Sequence, residues 1–362
     1  MINVTQTFLP PQEEYQAILK RAWDNIWLTN RGQLVKELER NLQNYLSSVP
    51  LLATTNGTLP LQIALKVLAK QGEVITTPFS YVATTSSIVW ENCTPVFVDI
   101  DPEHLTIDET KIEAAITSKT TAILATHVFG NPCAVEEIEQ IAQKHQLAVI
   151  YDAAHGFGVN YHGKSLFNYG DVSTCSFHAT KLFHTGEGGA LFCKDKKLMQ
   201  QLYYHHNFGH KSNNSFQGLG VNAKMSELQA AMGLTVLPYM SEIIEARAAI
   251  VNYYDIHLSN VKKMKIRRDT KWNYSYYPII FDSEKELLKA ESRLNKLEIF
   301  PRRYFYPSLE NLPYINSKKC NISEEISKKV MCLPLYVGLE KENLNKFTNY
   351  QKFDFKKNKI QI

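Results

Sequence analysis

The groups in this 362-residue sequence best suited to chemistry are one lysine, one aspartate and one strand-to-helix turn. Ser173 to Phe192 reads STCSFHATKLFHTGEGGALF. Ser173, Cys175 and Phe177 alternate with Thr174, Ser176 and His178 in the period-two pattern of a strand, and a glycine-rich turn leads into a second apolar strand at Ala190. Lys181 falls at a strand end between two buried segments. Desolvation there disfavours the ammonium and lowers its pKa, which suits an amine that attacks an aldehyde; taken alone, it reads as a solvated loop lysine, and the company it keeps overturns that reading. Asp152 ends the apolar run LAVIYD, where a parallel sheet presents functional carboxylates, or else it caps the following turn. Asn56-Gly57-Thr58 joins a strand to a helix, so its N–H groups and helix dipole offer an anion site and Gly57 permits close backbone approach; Thr58 is also an ordinary N-cap residue. Pyridoxal 5'-phosphate needs these parts together: a lysine for the Schiff base, a carboxylate at the pyridine nitrogen, a helix N-terminus for the phosphate and a flat group on the ring, here from Phe79-Ser80-Tyr81.

The elements that must position these groups follow a repeating rhythm. Leu51–Thr54, Glu73–Thr76, Pro95–Asp99, Thr121–Ala125 and Leu147–Asp152 are near-continuous apolar strands, and helical patterns over Leu59–Leu68, Ala83–Trp90 and Val135–His145 fall between them. Such alternation predicts an α/β fold whose mostly parallel sheet is covered on both faces, with ligands at the carboxyl ends of its strands. Two helices, over Pro11–Trp27 and Leu34–Leu46, precede it. Beyond a long helix over Tyr239–Leu258 the rhythm changes, which predicts a large cofactor-binding domain over residues 1–240 and a smaller C-terminal α+β domain over 241–362. Hydrophobic residues at 44% and a net charge of +4 are ordinary for a globular chain and point to no nucleic acid. Lys356, Lys357 and Lys359 read as a solvated end. The six cysteines form no CxxC pair or zinc spacing and read as reduced core residues of a cytoplasmic protein. No apolar run is long enough for a membrane span, and the first residues lack a signal-peptide layout.

The chain resembles the DegT/DnrJ/EryC1/StrS family of sugar aminotransferases. The resemblance rests on NGT at 56–58, TTPFSYVAT at 76–84, PVFVDID at 95–101, HVFGNP at 127–132, DAAHGFG at 152–158, SFHATK at 176–181, EGG at 187–189 and NAKMSELQAA at 222–231. It implies the fold-type I, aspartate aminotransferase-like architecture. It also implies that Lys181 holds the cofactor and shuttles a proton, Asp152 pairs with the pyridine nitrogen, Tyr81 stacks on the ring and His155 lies beside the phenolic oxygen. Gly57, Thr58 and Ser176 would bind the phosphate. The family's sites form at a homodimer interface, and the segment matching Asn222 to Lys224 enters the neighbour's site. Lys224 stands where many relatives have Asn or Arg and would act as a point charge on the partner's phosphate; alone, it reads as a surface residue opening a helix. A family subgroup with histidine in place of the lysine dehydrates instead, and SFHATK keeps the lysine. His178 either contacts substrate or packs at the strand end. Arg303, in PRRYFYP, would face a diphosphate.

The activity so implied is transfer of an amino group from L-glutamate to a nucleotide-linked keto sugar, the cofactor passing through pyridoxamine phosphate. Likeness within the family is greatest to the 4-aminotransferases of dTDP-4-keto-6-deoxyglucose, which make dTDP-4-amino-4,6-dideoxyglucose for surface polysaccharide or O-antigen. Amination at C3 of a dTDP-3-keto-6-deoxyhexose and a non-catalytic regulator are the alternatives. A nicotinamide-binding site is excluded because Gly186-Glu187-Gly188-Gly189 lacks the G-x-G-x-x-G spacing and precedes a strand.

Overall fold

Apolar side chains on both faces of seven short segments build the central sheet, as seen in a computed structural model that describes residues 1–340 and 342–346. The strands are β1 (Leu51–Thr54), β2 (Glu73–Thr76), β3 (Thr94–Phe97), β4 (Thr120–Thr126), β5 (Ala148–Asp152), β6 (Val172–Ser176) and β7 (Gly189–Phe192), in the order β1-β7-β6-β5-β4-β2-β3. Six run in one direction, and β7 is antiparallel to both β6 and β1. Alternate side chains supply separate cores. Ala53, Cys175, Ala190 and Phe192 pack with Leu34, Leu38 and Leu42 on one face. Leu52, Ile150, Val172 and Leu191 pack with Leu61, Ala64 and Leu65 on the other. The expected two-sided, mostly parallel α/β sheet is therefore present. The lysines at 356, 357 and 359 lie outside the described residues.

The helices are α1 (Gln12–Asp24), α2 (Gln33–Leu46), α3 (Thr58–Leu68), α4 (Val82–Trp90), α5 (Val135–His145), α6 (Lys196–His206), α7 (Glu227–Val236), α8 (Met240–His257), α9 (Glu284–Lys296) and α10 (Asn321–Lys329). Two of them are capped by acids from distant sequence. Buried Glu227 accepts from the backbone N–H groups of Leu34 and Val35 at 2.7 and 3.1 Å, closing the start of α2. Asp99, expected as the end of a strand, lies beyond β3. Its carboxylate accepts from the N–H groups of Ile322 and Ser323, each at 2.8 Å, at the start of α10.

A second, antiparallel sheet joins Lys262–Lys263, Tyr277–Ile280 and Val330–Leu333. With α8 and α9 it encloses a separate core around Tyr254, Ile279, Leu287, Ile299 and Met331. The chain start joins this core, since Ile2–Asn3 pairs in parallel with Ile299–Phe300. Arg247 on α8 is buried and donates to the carbonyls of Tyr274, Ser275 and Leu335 at 2.9, 2.5 and 2.8 Å, which fixes the segment that carries Tyr276 toward the sheet.

Candidate active site

The carboxyl ends of β1, β2, β4, β5 and β6 open on one cavity of about 300 Å³. Gly57, Thr58, Tyr81, Asp152, His155, Ser176, His178 and Lys181 all line it. These residues are far apart in sequence, and each stands just after or at the end of a strand. The parallel sheet collects them.

Lys181 sits in the excursion between β6 and β7. That loop is pinned by backbone bonds from Phe177 to Gly188, Thr185 to Phe177 and Ala179 to Gly186, at 2.8, 2.9 and 2.7 Å. Phe183 stacks on Phe157 at 4.6 Å and anchors the loop in the core. The Lys181 amine is half-buried, 5.9 Å from the centre of the Tyr276 ring. Burial pushes its pKa below the usual lysine value against the opposing pull of Asp152, so a larger fraction is the neutral, nucleophilic amine. Asp152 is buried at the cavity floor, and burial pushes its carboxyl up. Thr84 Oγ1 at 2.6 Å, Ala154 N–H at 3.1 Å and the charge of Lys181 oppose that shift.

His155 is buried, and its pKa falls well below the ordinary imidazole value through desolvation, with a further contribution from Lys181. The neutral ring accepts at Nδ1 from the Phe129 N–H at 3.1 Å, so its proton is on Nε2. The ring lies parallel to Phe305 at 5.8 Å and edge-on to Tyr276 at 4.9 Å. Tyr81, just before α4, is exposed and 6.4 Å from Phe305.

The turn at the start of α3 differs in detail from the sequence expectation of free N–H groups. Asn56 Oδ1 already accepts from the N–H groups of Thr58 and Leu59, each at 2.9 Å. An anion there is left with the Gly57 N–H and the hydroxyls of Thr58 and Ser176. A Cβ on Gly57 would lie 2.7 Å from Ser176 Cβ, so only glycine lets the two segments form this cradle. Gly189 is equally constrained, because a Cβ would meet the Asn56 carbonyl oxygen at 2.4 Å.

His178 is half-buried, its Nδ1 2.8 Å from Thr180 Oγ1 and its Nε2 3.5 Å from Glu187. Arg303, expected to face the diphosphate, is not on the cavity wall, and Asn222 and Lys224, expected in a neighbour's site, do not line the cavity of their own chain. Lys224 donates to Asn222 at 2.7 Å and lies 4.5 Å from the centre of the Phe208 ring, with its backbone bridged to Thr54. Arg303 is turned away, donating to Glu284 at 2.7 Å and stacking over Tyr306 at 3.7 Å. Its neighbour Arg302 lines the cavity, over the Tyr304 ring at 5.6 Å. Sequence reasoning missed Thr84 and Tyr276; in the PRRYFYP segment, which the resemblance puts at the sugar-nucleotide pocket, it chose Arg303, whereas Arg302, Tyr304 and Phe305 are on the wall. The adjacent arginines of PRRYFYP were the signal for Arg302, since an extended backbone sends neighbours to opposite sides.

Residues 11–350 match the DegT/DnrJ/EryC1/StrS aminotransferase family. The chain is 41% identical over 352 residues to a dTDP-4-amino-4,6-dideoxy-D-glucose transaminase of Shigella dysenteriae, covering 95% of this chain and 96% of that protein. An Escherichia coli protein of the same name is 39% identical over 361 residues, covering 96% and 97%. The crystal structure of DesI in the presence of its TDP-sugar product superposes with a TM-score of 0.91 at 30% identity, over 97% of this chain and 92% of that one. The chain belongs to the DegT/DnrJ/EryC1/StrS aminotransferase family.

Proposed function

We propose that this aminotransferase uses pyridoxal phosphate to move an amino group from L-glutamate to C4 of dTDP-4-keto-6-deoxy-D-glucose, making dTDP-4-amino-4,6-dideoxy-D-glucose for surface polysaccharide or O-antigen. The observation that carries the reading is the pairing of Lys181 and Asp152 in one cavity beside the Gly57–Ser176 cradle. Full-length likeness to two transaminases of that name supports the choice of sugar.

The residues present fit the cofactor. When bound, pyridoxal phosphate supplies an aldehyde carbon for the amino group and a protonated ring that withdraws electrons from the neighbouring C–H bond. The Gly57 N–H and the Thr58 and Ser176 hydroxyls would hold its phosphate. Asp152, a buried acceptor, would hold the ring-nitrogen proton, and His155 Nε2–H would donate to the phenolic oxygen. Tyr81 would cover the ring face. Lys181, its pKa lowered by burial, would attach the cofactor and then carry a proton at Nζ. Arg302 takes over the diphosphate contact expected of Arg303, because a guanidinium on the cavity wall matches phosphate geometry. His178, also on the wall, would meet the sugar.

We further propose a homodimer in which Asn222 and Lys224 of one copy reach the cradle of the other. Their placement off the cavity of their own chain supports this, as do the exposed apolar side chains of Trp90, Leu219 and Val221. A division near residue 240 is supported by the separate second core, with the first few residues crossing to it. Six buried cysteines without disulfides support a cytoplasmic setting. Among the described residues, no helix is long and apolar enough to cross a membrane.

The test is the visible spectrum of the purified protein with pyridoxal phosphate. Glutamate is expected to remove the band and dTDP-4-keto-6-deoxyglucose to restore it; Lys181→Ala should show neither change. Restoration only by a 3-keto sugar would move the amination to C3. A protein that binds these compounds without spectral change would be a regulator.

A further inference from the structure

Beside Asp152 a line of hydroxyl groups crosses the carboxyl ends of three adjacent strands, with Ser80 and Thr126 on the cavity wall and Thr84 off it. Thr126 ends β4, Ser80 and Thr84 follow β2, and Asp152 ends β5. Thr84 Oγ1 is 2.6 Å from Asp152 Oδ2, Ser80 Oγ is 2.7 Å from Thr84 Oγ1, and Thr126 Oγ1 is 3.1 Å from Ser80 Oγ. All four side chains are buried, and Thr84 is fully so.

Each hydroxyl has one proton to give. An ionised Asp152 only accepts, so the Thr84 proton goes to it. Thr84 Oγ1 must then accept from Ser80, and Ser80 from Thr126. The three bonds therefore point one way, toward the carboxylate, and aligned hydrogen bonds polarise one another even though Ser80 and Thr126 also border the cavity. Ala154 N–H holds the other carboxylate oxygen at 3.1 Å. With one donor on each oxygen the carboxylate plane is set, and its remaining lone pairs are available to the cavity, which Asp152 lines and Thr84 does not. Lys181 is the charged group that faces it.

We propose that Thr84, backed by Ser80 and Thr126, is a positioning residue that fixes the charge and direction of the Asp152 carboxylate. Its effect on catalysis rests on the reading of Asp152 as the partner of the cofactor's ring nitrogen.

Thr84→Val removes the hydroxyl at nearly constant shape, and Thr84→Ser restores it. The first readout needs no cofactor: NMR titration of the apoprotein labelled with 13C at the aspartate carboxyl, with Asp152→Asn identifying the signal. Thr84→Val is expected to raise the Asp152 midpoint by about one pH unit, since it deletes a bond that favours the charged form. Thr84→Ser should return it, and Thr126→Val should shift it the same way by less. The second readout is pyridoxal phosphate affinity, expected to fall roughly tenfold in Thr84→Val. An unshifted midpoint overturns the relay, whatever the cofactor does. A shifted midpoint with unchanged affinity overturns the link from Asp152 to the ring nitrogen. No shift in Thr126→Val overturns the relay beyond Thr84. Should Thr84→Val not fold, Ser80→Ala, one bond further back, carries the same test.

Discussion

Gly57→Ala tests the anion cradle through a contact that can be measured on the structure. Gly57 has φ −84° and ψ −9°, a conformation alanine adopts without strain, so the substitution acts through packing alone. The added Cβ would stand 2.7 Å from Ser176 Cβ and 2.8 Å from Ser176 Oγ. Carbon atoms in ordinary contact are roughly 3.5–4.0 Å apart, so the two segments must separate by about 1 Å. Overpacking of that size costs about 1–3 kcal/mol, against a typical stability of roughly 5–15 kcal/mol, and the variant should fold. Its effect on the cofactor should be larger in proportion. Losing one hydrogen bond to a charged phosphate is worth about 1.5–3 kcal/mol, or roughly ten- to hundredfold in affinity. Equilibrium titration of the apoprotein with pyridoxal phosphate measures this, and thermal melting measures the packing term. Adding Ser176→Gly should recover part of the melting temperature but not affinity, because the side-chain clash and the hydroxyl leave together while the residue-176 Cα stays 3.0 Å away. A variant that melts lower yet binds the cofactor as tightly as the parent would refute the cradle as the phosphate site.

What the sequence disclosed depended on how local each signal was. The helix over Val135–His145 was legible to the residue because its apolar period and its boundaries lie within the segment itself. Lys181, Asp152 and Gly57 were legible as a group because each stands at a strand end or turn, and a parallel sheet brings such ends to one side; Ser176 came from the family resemblance alone. Asp99 was not. Its neighbours favour a strand, but its carboxylate is committed to α10, more than 200 residues later. Glu227 is similar, since its cap on α2 spans 193 positions. The choice between Arg302 and Arg303 depends on register. The Arg302 backbone bridges to Cys332, and this pairing, which no local pattern specifies, decides which arginine faces the cavity. Thr84 shows the same limit. It reads as one polar residue in the first turn of α4, and only the packing of β2 against β4 and the neighbouring β5 puts its hydroxyl on Asp152.

Two further predictions separate neighbouring explanations. Arg302→Ala should raise KM for the nucleotide sugar about tenfold, as loss of a guanidinium–phosphate contact would. Arg303→Ala should instead lower stability by about 1 kcal/mol through its lost Glu284 pair and leave KM unchanged. Steady-state kinetics and melting of both variants check this, and the reverse outcome would restore Arg303 to the substrate. The second prediction concerns acid stability. His127 and His206 are buried, and desolvation lowers their pKa values from 6.5 to about 3 and about 4. The unfolded chain takes up these protons below pH 6.5 and the native state does not. The two histidines therefore contribute full stability above pH 6.5 and lose it as the pH falls toward their native values. Between pH 7.5 and 5.5 each should account for about 1.4 kcal/mol of lost stability. His206→Gln keeps a donor for the Ala53 carbonyl, which the histidine meets at 3.1 Å, but cannot titrate. Urea unfolding at the two pH values should therefore show a stability loss smaller by about 1.4 kcal/mol in this variant. An unchanged loss would mean that His206 is protonated in the native state, with its ring open to water.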